Sequence, residues 1–247
     1  MVKIILNGAK GRMGAEIIKR LETSEQSTLA AGIDINAVPE ADGFYKSLSD
    51  YSGEGDVIID FSNHACTVDL LEYAKSRKIA CVVATTGHSD DEKAAIFAVA
   101  KEIPVFYSAN MSIGVAVLAD FARRAAELMP DADIEIIEKH HNQKLDAPSG
   151  TALMLAGKIK EAIKNSVFIC GRSGHAKRMK NEIGIHAVRL GNVVGEHEVI
   201  FNTGDETITL KHEAHSRALF ANGAITAAEF LSTKPAGLYN MDSIVAK

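Results

Sequence analysis

The sequence predicts an α/β protein with a doubly wound parallel sheet, followed by an α+β region. Three observations lead to this prediction. Short apolar runs alternate with amphipathic stretches up to about residue 112, which is typical of buried parallel strands joined by helices. A glycine-rich segment follows the first apolar run directly. After residue 112, strand-like runs alternate polar and apolar residues, which indicates a sheet with one covered face.

The first region contains a series of buried strands with helices between several of them. The predicted strands are Lys3–Asn7, Thr28–Asp34, Asp56–Phe61, Ile79–Thr85 and Pro104–Ala109. The predicted helices are Met13–Glu22, Ala65–Ser76 and Asp90–Lys101. This alternation is the pattern of a parallel sheet covered on both faces.

The second region has a different order of elements. The predicted helices are Ile113–Met129, Ala152–Lys164 and, at the end, Ser216–Leu231. The predicted strands are Asp133–His141, Gly184–Leu190, Glu196–Asn202 and Glu206–His212, while Asn165–Asn181 is predicted to be a mobile loop. We therefore expect an α+β unit with a mixed or antiparallel sheet.

Composition limits the classes of function. The 247 residues include 27 basic and 32 acidic ones, a net charge of -5, which argues against a nucleic-acid partner held by bulk charge. We see neither an apolar run long enough to cross a membrane nor a signal segment. Cys66, Cys81 and Cys170 have no metal-binding or disulfide spacing, which favours a reducing cytoplasm.

The segment GAKGRMG, directly after the first strand, has glycines at positions 8, 11 and 14. The best-known dinucleotide fingerprint spaces its first two glycines two apart rather than three. The physical demands can still be met by a tight turn at Gly8, close approach of a pyrophosphate at Gly11 and close helix packing at Gly14. Asp34 lies 20 residues after Gly14, where a carboxylate can bind ribose hydroxyls. We predict a dinucleotide site; an ordinary glycine-rich turn is the alternative.

Asp34 also bears on the choice of cofactor. A carboxylate at the ribose repels the extra phosphate of NADPH, and the following Ile35 and Asn36 supply no cation. Lys10 and Arg12 in the glycine loop can still reach such a phosphate. We therefore expect NADH to be preferred and NADPH to be accepted.

Two further segments, Ala84–Gly87 and Ser108–Ser112, fall at the carboxyl ends of predicted strands, where ligands bind to such sheets. Thr86, Asn110 and exposed backbone groups are candidates to face a nicotinamide ring. Plain turn chemistry is the alternative for both segments.

The segment EKHHNQKLDAPSGT, residues 138–151, brings together up to four positive charges within six residues: Lys139, His140, His141 and Lys144. In a net acidic protein this predicts a local site for carboxylates. The following residues are typical of a helix start, with Ser149 or Thr151 as its cap and free N–H groups as further donors. A small dianion would suit this site, and histidine can move protons near neutral pH.

Other interpretations of this segment are a metal site and a solvated, charged strand end. The helical spacing of zinc-binding histidines is absent and no cysteine lies near, so we predict no metal. The later histidines are interpreted as structural or surface residues: His186, His197, His212 and His215.

Five segments together resemble one known family. GAKGRMG, ATTG, SANMSIGV, EKHHNQKLDAPSGTAL and VGEHEVIF occur in this order and are similar to the dihydrodipicolinate reductases, also called 4-hydroxy-tetrahydrodipicolinate reductases. The resemblance runs from about Lys3 to Asp242, and residues 135–151 are specific to that family. It implies a cytoplasmic, nicotinamide-dependent enzyme of the diaminopimelate route to lysine, which forms tetrahydrodipicolinate.

The resemblance also implies an architecture and a set of site residues. A Rossmann-type domain (residues 1–111 and 218–247) would carry an inserted α+β domain (residues 112–217) for substrate binding and assembly into homotetramers. By position, His140 would be the general acid/base and Lys144 the proton donor, and the implied substrate contacts are His141, Gly150 and Thr151. The implied cofactor contacts are Gly8, Ala9, Lys10, Gly11, Arg12, Met13, Asp34, Thr85, Thr86, Gly87, Ser108, Ala109, Asn110 and Met111.

Two positions depart from the family pattern, and two other functions stay open. Ile35 stands where members that use NADPH readily often have a basic residue, and Met111 replaces the usual phenylalanine. One alternative is another two-domain reductase, although no cysteine lies in an identifiable thioester-forming position. The other is a sensor that only binds the dinucleotide, which leaves residues 138–151 unexplained.

Overall fold

The structure is a computed structural model that describes residues 1–38 and 43–245; residues 39–42 and 246–247 of the predicted first domain lie outside it. The strands are β1 (Val2–Asn7), β2 (Ser27–Ile33), β3 (Phe44–Tyr45), β4 (Val57–Asp60), β5 (Ala80–Val83), β6 (Pro104–Tyr107), β7 (Asp133–His140), β8 (Val167–Cys170), β9 (Glu182–Arg189), β10 (Gly195–Asn202), β11 (Thr207–Ala214) and β12 (Gly237–Tyr239). The α-helices are α1 (Arg12–Leu21), α2 (Thr67–Arg77), α3 (Asp90–Val99), α4 (Ile113–Leu128), α5 (Gly150–Ala162), α6 (Ala218–Leu231) and α7 (Met241–Val245). None of the helices in the described ranges combines the length and apolar character needed to cross a membrane.

One compact unit comprises Met1–Ser112 and Ala218–Lys247. Its seven-stranded sheet has the order β12-β6-β5-β4-β1-β2-β3, with parallel pairings throughout. Strands β4 and β5 are buried along their whole length, which fits a parallel sheet flanked by helices. Helices α2 and α3 pack on one hydrophobic cluster, while α1 and α6 pack on each other. The predicted doubly wound α/β architecture is confirmed.

The second compact unit comprises Ile113–Arg217. Its five-stranded sheet has the order β11-β10-β7-β9-β8, with β7 antiparallel to β10 and parallel to β9. Helices α4 and α5 cover one face, where they bury residues such as Leu155 and Ile159 against Ile136 and Phe201 of the sheet. The sheet is therefore mixed, as the α+β prediction allowed.

The prediction of a mobile loop over Asn165–Asn181 is wrong in part, because Val167–Cys170 forms β8 and pairs in parallel with β9. This apolar run has high strand propensity, but its polar flanks and short length conceal it. Helix α5 begins two residues earlier than expected, at Gly150, because Ser149 caps it. The short elements β3, β12 and α7 have no clear sequence signal.

Two helical glycines give a test of the packing. A Cβ added to Gly223 in α6 would lie 1.7 Å from Met111 O, so we expect Gly223→Ala to lower the midpoint of thermal unfolding. Overpacking of this kind costs about 1–3 kcal/mol. Gly157 in α5 is the matched control, because a Cβ there meets no atom within 4 Å. Gly157→Ala should raise the midpoint, since alanine stabilises a helix interior by about 1 kcal/mol over glycine. An unchanged midpoint for Gly223→Ala would contradict the close packing of α6 on Met111.

Candidate active site

The turn after β1 and the first turn of α1 each have one position with room only for glycine. Gly8 has a φ of 86°, and a Cβ on it would lie 2.5 Å from Phe61 O. A Cβ on Gly14 would lie 2.3 Å from Gly8 O. The N–H groups of Gly8 and Ala9 both donate to Ile33 O, at 2.9 and 3.1 Å. The start of α1 is thereby held close against the ends of β1, β2 and β4.

Asp34, just after β2, is bonded into this turn. Its Oδ2 accepts from the Lys10 N–H and its Oδ1 from the Asn36 N–H, each at 2.9 Å. The Gly11 N–H donates to Gly8 O at 3.0 Å. The backbone donors of residues 8–11 are therefore used within the turn. The first turn of α1, which begins at Arg12, is where N–H groups have no acceptor inside the helix and can meet an anion.

A cavity of about 680 Å³ opens beside this turn. Its lining includes Gly8, Gly11 and Asp34, together with Ile35 and Lys46. A side-chain-free turn, a helix start and a strand-end carboxylate on one cavity fit the demands of a dinucleotide. The unit thus has the residues to hold a nicotinamide cofactor.

The other predicted cofactor segments follow β5 and β6, which are neighbours in the sheet. Thr86 and Gly87 are exposed, whereas Thr85 is buried and donates its hydroxyl to Asp60 Oδ2 at 2.8 Å. Ser108 Oγ donates to Asn110 O at 2.7 Å. Ala109 is exposed, while the side chain of Met111 is buried in the core. The accessible groups in these segments therefore include Thr86, Gly87 and Ala109.

Asp60, at the end of β4, is a buried residue to which the sequence pattern assigned no role. Its Oδ1 accepts from Asn7 Nδ2 at 2.9 Å and from Ser62 Oγ at 2.6 Å, and its Oδ2 binds Thr85. One carboxylate thus joins the ends of β1, β4 and β5. An aspartate that closes an otherwise apolar strand is the signal that could have found it.

In the second unit, β7 carries the candidate catalytic histidine. Its buried positions alternate with half-buried ones, so Ile136, Glu138 and His140 share one face. Lys139 points to the other face, where its Nζ lies 3.1 Å from Glu196 Oε2. The prediction that Lys139 belongs to the same anion site is therefore wrong, because successive strand residues face opposite sides.

Lys144 and the start of α5 converge on one carboxylate. Lys144 Nζ lies 2.8 Å from Asp146 Oδ1. The pKa of Asp146 is lowered mainly by this hydrogen bond, with a smaller contribution from the Gly150 N–H. Ser149 is the cap, since its Oγ accepts from the Ala152 N–H at 3.2 Å. An ammonium group and a helix N-terminus are thus arranged to bind a carboxylate here.

The remaining predicted substrate residues lie in the same segment. His141 is half-buried, and its carbonyl accepts from the Lys144 N–H at 3.2 Å. Thr151 is the second residue of α5 and is also half-buried.

His140 is 9% exposed, and its Nδ1 lies 2.6 Å from Glu138 Oε2. Burial lowers the pKa of His140; the hydrogen bond and the charge of Glu138 oppose this, and the charges of Lys144 and Arg189 add to it. Burial is thus the larger reason why the ring favours its neutral form, and the neighbouring cations add to it.

Three partners of this histidine were not predicted as part of the site. Glu138 is 0% exposed, and its carboxylate accepts hydrogen bonds from both terminal nitrogens of Arg189. The His197 ring lies 5.2 Å from that of His140, and its Nε2 is 3.1 Å from Ser149 Oγ. Burial lowers the pKa of His197 to about 4. The alternation along β7 signals Glu138; Arg189 and His197 depend on strand pairing that the sequence does not reveal.

Metal binding has no structural support in the described ranges. Among residues 1–38 and 43–245, no group of three or more His, Cys, Asp or Glu side chains is arranged to hold a metal ion.

Comparison with known proteins gives consistent matches over the whole length. The family model described as "Dihydrodipicolinate reductase, N-terminus" matches residues 2–111, and its C-terminal counterpart matches residues 114–245. The 4-hydroxy-tetrahydrodipicolinate reductase of Caldanaerobacter subterraneus subsp. tengcongensis is 44% identical, covering 100% of this chain and 99% of the relative. That of Clostridium tetani is 45% identical, covering 99% and 97%.

Solved structures agree with these matches. Dipicolinate-bound dihydrodipicolinate reductase from Paenisporosarcina sp. TG-14 has a TM-score of 0.82 and 25% identity, covering 97% of each chain. A myo-inositol dehydrogenase from Corynebacterium glutamicum has a TM-score of 0.54 and 16% identity, covering 93% of this chain and 87% of that one, and shares the fold alone. The resemblance found in the sequence is thus confirmed: this chain belongs to the dihydrodipicolinate reductase family.

Proposed function

We propose that this chain catalyses the NAD(P)H-dependent reduction of 4-hydroxy-tetrahydrodipicolinate to tetrahydrodipicolinate, in the diaminopimelate route of lysine biosynthesis. The strongest support is the convergence of Lys144 and the Gly150 N–H on one carboxylate, near the buried His140. A solved family member is described as dipicolinate-bound, and dipicolinate is a small dicarboxylate. A substrate with two carboxylates suits this arrangement of donors.

The proposed roles follow from the chemistry of each group. His141, Gly150 and Thr151 hold the substrate carboxylates, in the position where Asp146 now binds Lys144. A bound dianion raises the pKa of His140, so that the ring takes up a proton as the substrate arrives. The Lys144 ammonium group donates the proton that accompanies reduction. When bound, the reduced nicotinamide would supply the hydride to C4 of the substrate, from which the 4-hydroxyl group has left as water.

The cofactor is proposed to bind at the unit that contains β1. The turn from Gly8 to Met13, Asp34 and the segments 85–87 and 108–111 would hold it. Lys10 Nζ lies 4.0 Å from the centroid of the Phe44 ring, which holds that ammonium at β3. Lys46 lines the cavity with Asp34 and offers a cation to a 2′-phosphate. This combination supports a preference for NADH with NADPH accepted.

We further propose that the enzyme is a cytoplasmic homotetramer. In this proposal, residues 1–111 with 218–247 bind the cofactor, and residues 112–217 bind substrate and form the assembly. The sheet face opposite α4 and α5 carries Lys139, Glu196 and Lys211 in an ion-pair network, and is the proposed assembly surface.

Substitution of the two proton-handling residues tests the reaction. We expect His140→Gln and Lys144→Met each to lower kcat by about 100- to 10,000-fold, the usual contribution of a general acid, with little change in cofactor affinity. The assay follows NADH absorbance with the freshly made condensation product of pyruvate and aspartate semialdehyde. Lys180→Met is the matched control, because Lys180 is exposed and pairs only with the similarly exposed Asp131 among the ion pairs of the described residues, and it should keep a near-normal kcat.

The outcomes of this assay separate the hypotheses. A near-normal kcat for either variant would show that its assigned role is wrong. A wild-type protein that oxidises no NADH would refute the reductase, and cofactor binding without turnover would favour a sensor.

Binding of pyridine-2,6-dicarboxylate tests the electrostatics of His140. The pKa of His140 is lowered from 6.5 in the free protein, so at pH 7 the ring is mainly neutral. Two added negative charges raise that pKa, and binding should therefore take up protons from the buffer. Calorimetry in two buffers of different ionisation enthalpy measures this uptake. His140→Gln should remove this proton uptake. If the wild type bound the dicarboxylate without proton uptake, the dicarboxylate would not lie close enough to His140 to raise its pKa.

Asp34→Ala tests the cofactor preference. We expect the wild type to have a lower KM for NADH than for NADPH. The variant should raise the KM for NADH by about tenfold or more, since a hydrogen bond to a charged group contributes about 1.5–3 kcal/mol. It should also reduce the difference between the KM values for NADH and NADPH, because the carboxylate that repels the 2′-phosphate is removed. Asp205→Ala, at an exposed turn, controls for the loss of one negative charge. A strong wild-type preference for NADPH would contradict the role of Asp34.

A further inference from the structure

Glu138 binds four donors while fully buried. Its Oε2 accepts from His140 Nδ1 at 2.6 Å and from Arg189 Nη1 at 2.7 Å. Its Oε1 accepts from Arg189 Nη2 at 2.8 Å and from the Ser149 N–H at 2.9 Å. These donors come from β7, β9 and the start of α5. Since a carboxylate has about four acceptor sites, its capacity is fully used.

Arg189 makes this burial possible. Burial acts to raise the pKa of Glu138, but the hydrogen bonds from Arg189, His140 and the Ser149 N–H outweigh it, and the pKa is lowered. The carboxylate is therefore ionised and bound by the two-pronged guanidinium. Arg189 Nη2 also donates to Asp146 O at 2.7 Å, so the same pair holds the segment that carries Lys144.

We propose that Glu138, held by Arg189, is the positioning residue of this site, and the proposal rests on the function proposed above. Its carboxylate keeps a proton on His140 Nδ1, so that Nε2 is the nitrogen that exchanges protons with the substrate. Its bond to Ser149 fixes the start of α5 relative to that ring. Nε2 lies on the side of Gly195, where an added Cβ would be only 3.1 Å away, and glycine leaves this space open.

The charges around His140 give Glu138 a second effect. Four groups face the ring: Glu138 from β7, Arg189 from β9, His197 from β10 and Lys144 from the connecting segment. Of these four, Glu138 alone is negative. Its charge is therefore what allows the buried ring to accept a second proton when a dianion binds.

Glu138→Gln tests this proposal through the ring itself. Glutamine keeps the shape of the glutamate side chain, but its amide NH₂ is a donor and would face the N–H donors of Arg189 or Ser149. ¹⁵N NMR of the histidine rings, with the His140 signals assigned by their loss in His140→Gln, reports both tautomer and pKa. We expect a smaller population with the proton on Nδ1 and a lower pKa of His140. We also expect kcat to fall by about 100-fold, the scale of a slightly misplaced reacting group, while the KM for NADH is unchanged.

Glu135→Gln is the matched control. Glu135 lies on the same strand but on the other face, and it too binds an arginine and a histidine. Its Oε1 accepts from Arg178 Nε at 3.1 Å and its Oε2 lies 2.8 Å from His186 Nε2. This variant loses the same kinds of contact but should leave the tautomer and the pKa of His140 unchanged.

Arg189→Lys decides the matter if Glu138→Gln does not fold. Lysine keeps the positive charge but lacks the two-pronged guanidinium. The tautomer of His140, its pKa and kcat should therefore change in the same directions by smaller amounts. A folded variant of either residue with wild-type kcat and wild-type His140 signals would overturn the proposal. The spectra need no turnover, so an inactive wild-type protein would refute the proposed function and leave the proposal about His140 to be decided by NMR.

Discussion

The buried pair of Glu138 and Arg189 is the interaction on which the second unit's site depends. A buried ion pair adds little net stability, but removal of one partner leaves an uncompensated charge and is strongly destabilising. The pair forms only if β7 and β9 adopt the observed register, in which His140 lies beside Arg189. Because the same carboxylate also binds the Ser149 N–H, the histidine and the start of α5 are fixed together. One set of hydrogen bonds thus stabilises the pairing of β7 with β9 and also positions the residues of the site.

The other unit also has a buried carboxylate that joins several segments of the chain. Asp60 is fully buried at the end of β4 and binds side chains from the ends of β1 and β5. Loops at the carboxyl edge of a parallel sheet have few backbone partners of their own, and a shared carboxylate reduces their freedom. Asp34 has a comparable role for the glycine turn, since it binds the Lys10 N–H. A residue predicted to contact the ribose therefore also shapes the turn that would hold the pyrophosphate.

Local pattern was enough for much of the fold and for part of the site. Apolar runs and amphipathic periods locate most strands and helices, although α5 begins two residues before its predicted start. Alternation along β7 separates Lys139 from His140 and places Glu138 on the same face as the histidine. The contribution of Arg189 and His197 to the site could not be predicted from the sequence, because they reach it through the pairing of β7 with β9 and β10. Register between distant strands depends on packing across the whole sheet, which no local pattern encodes.

Neutron diffraction of the deuterium-exchanged protein with pyridine-2,6-dicarboxylate would locate each proton at the Glu138 carboxylate. We expect a deuteron on His140 Nδ1 directed at Glu138 Oε2, a second on Nε2, and none on either oxygen of Glu138. A deuteron on the Glu138 carboxyl group, or an Nδ1 without one, would contradict the positioning role of Glu138.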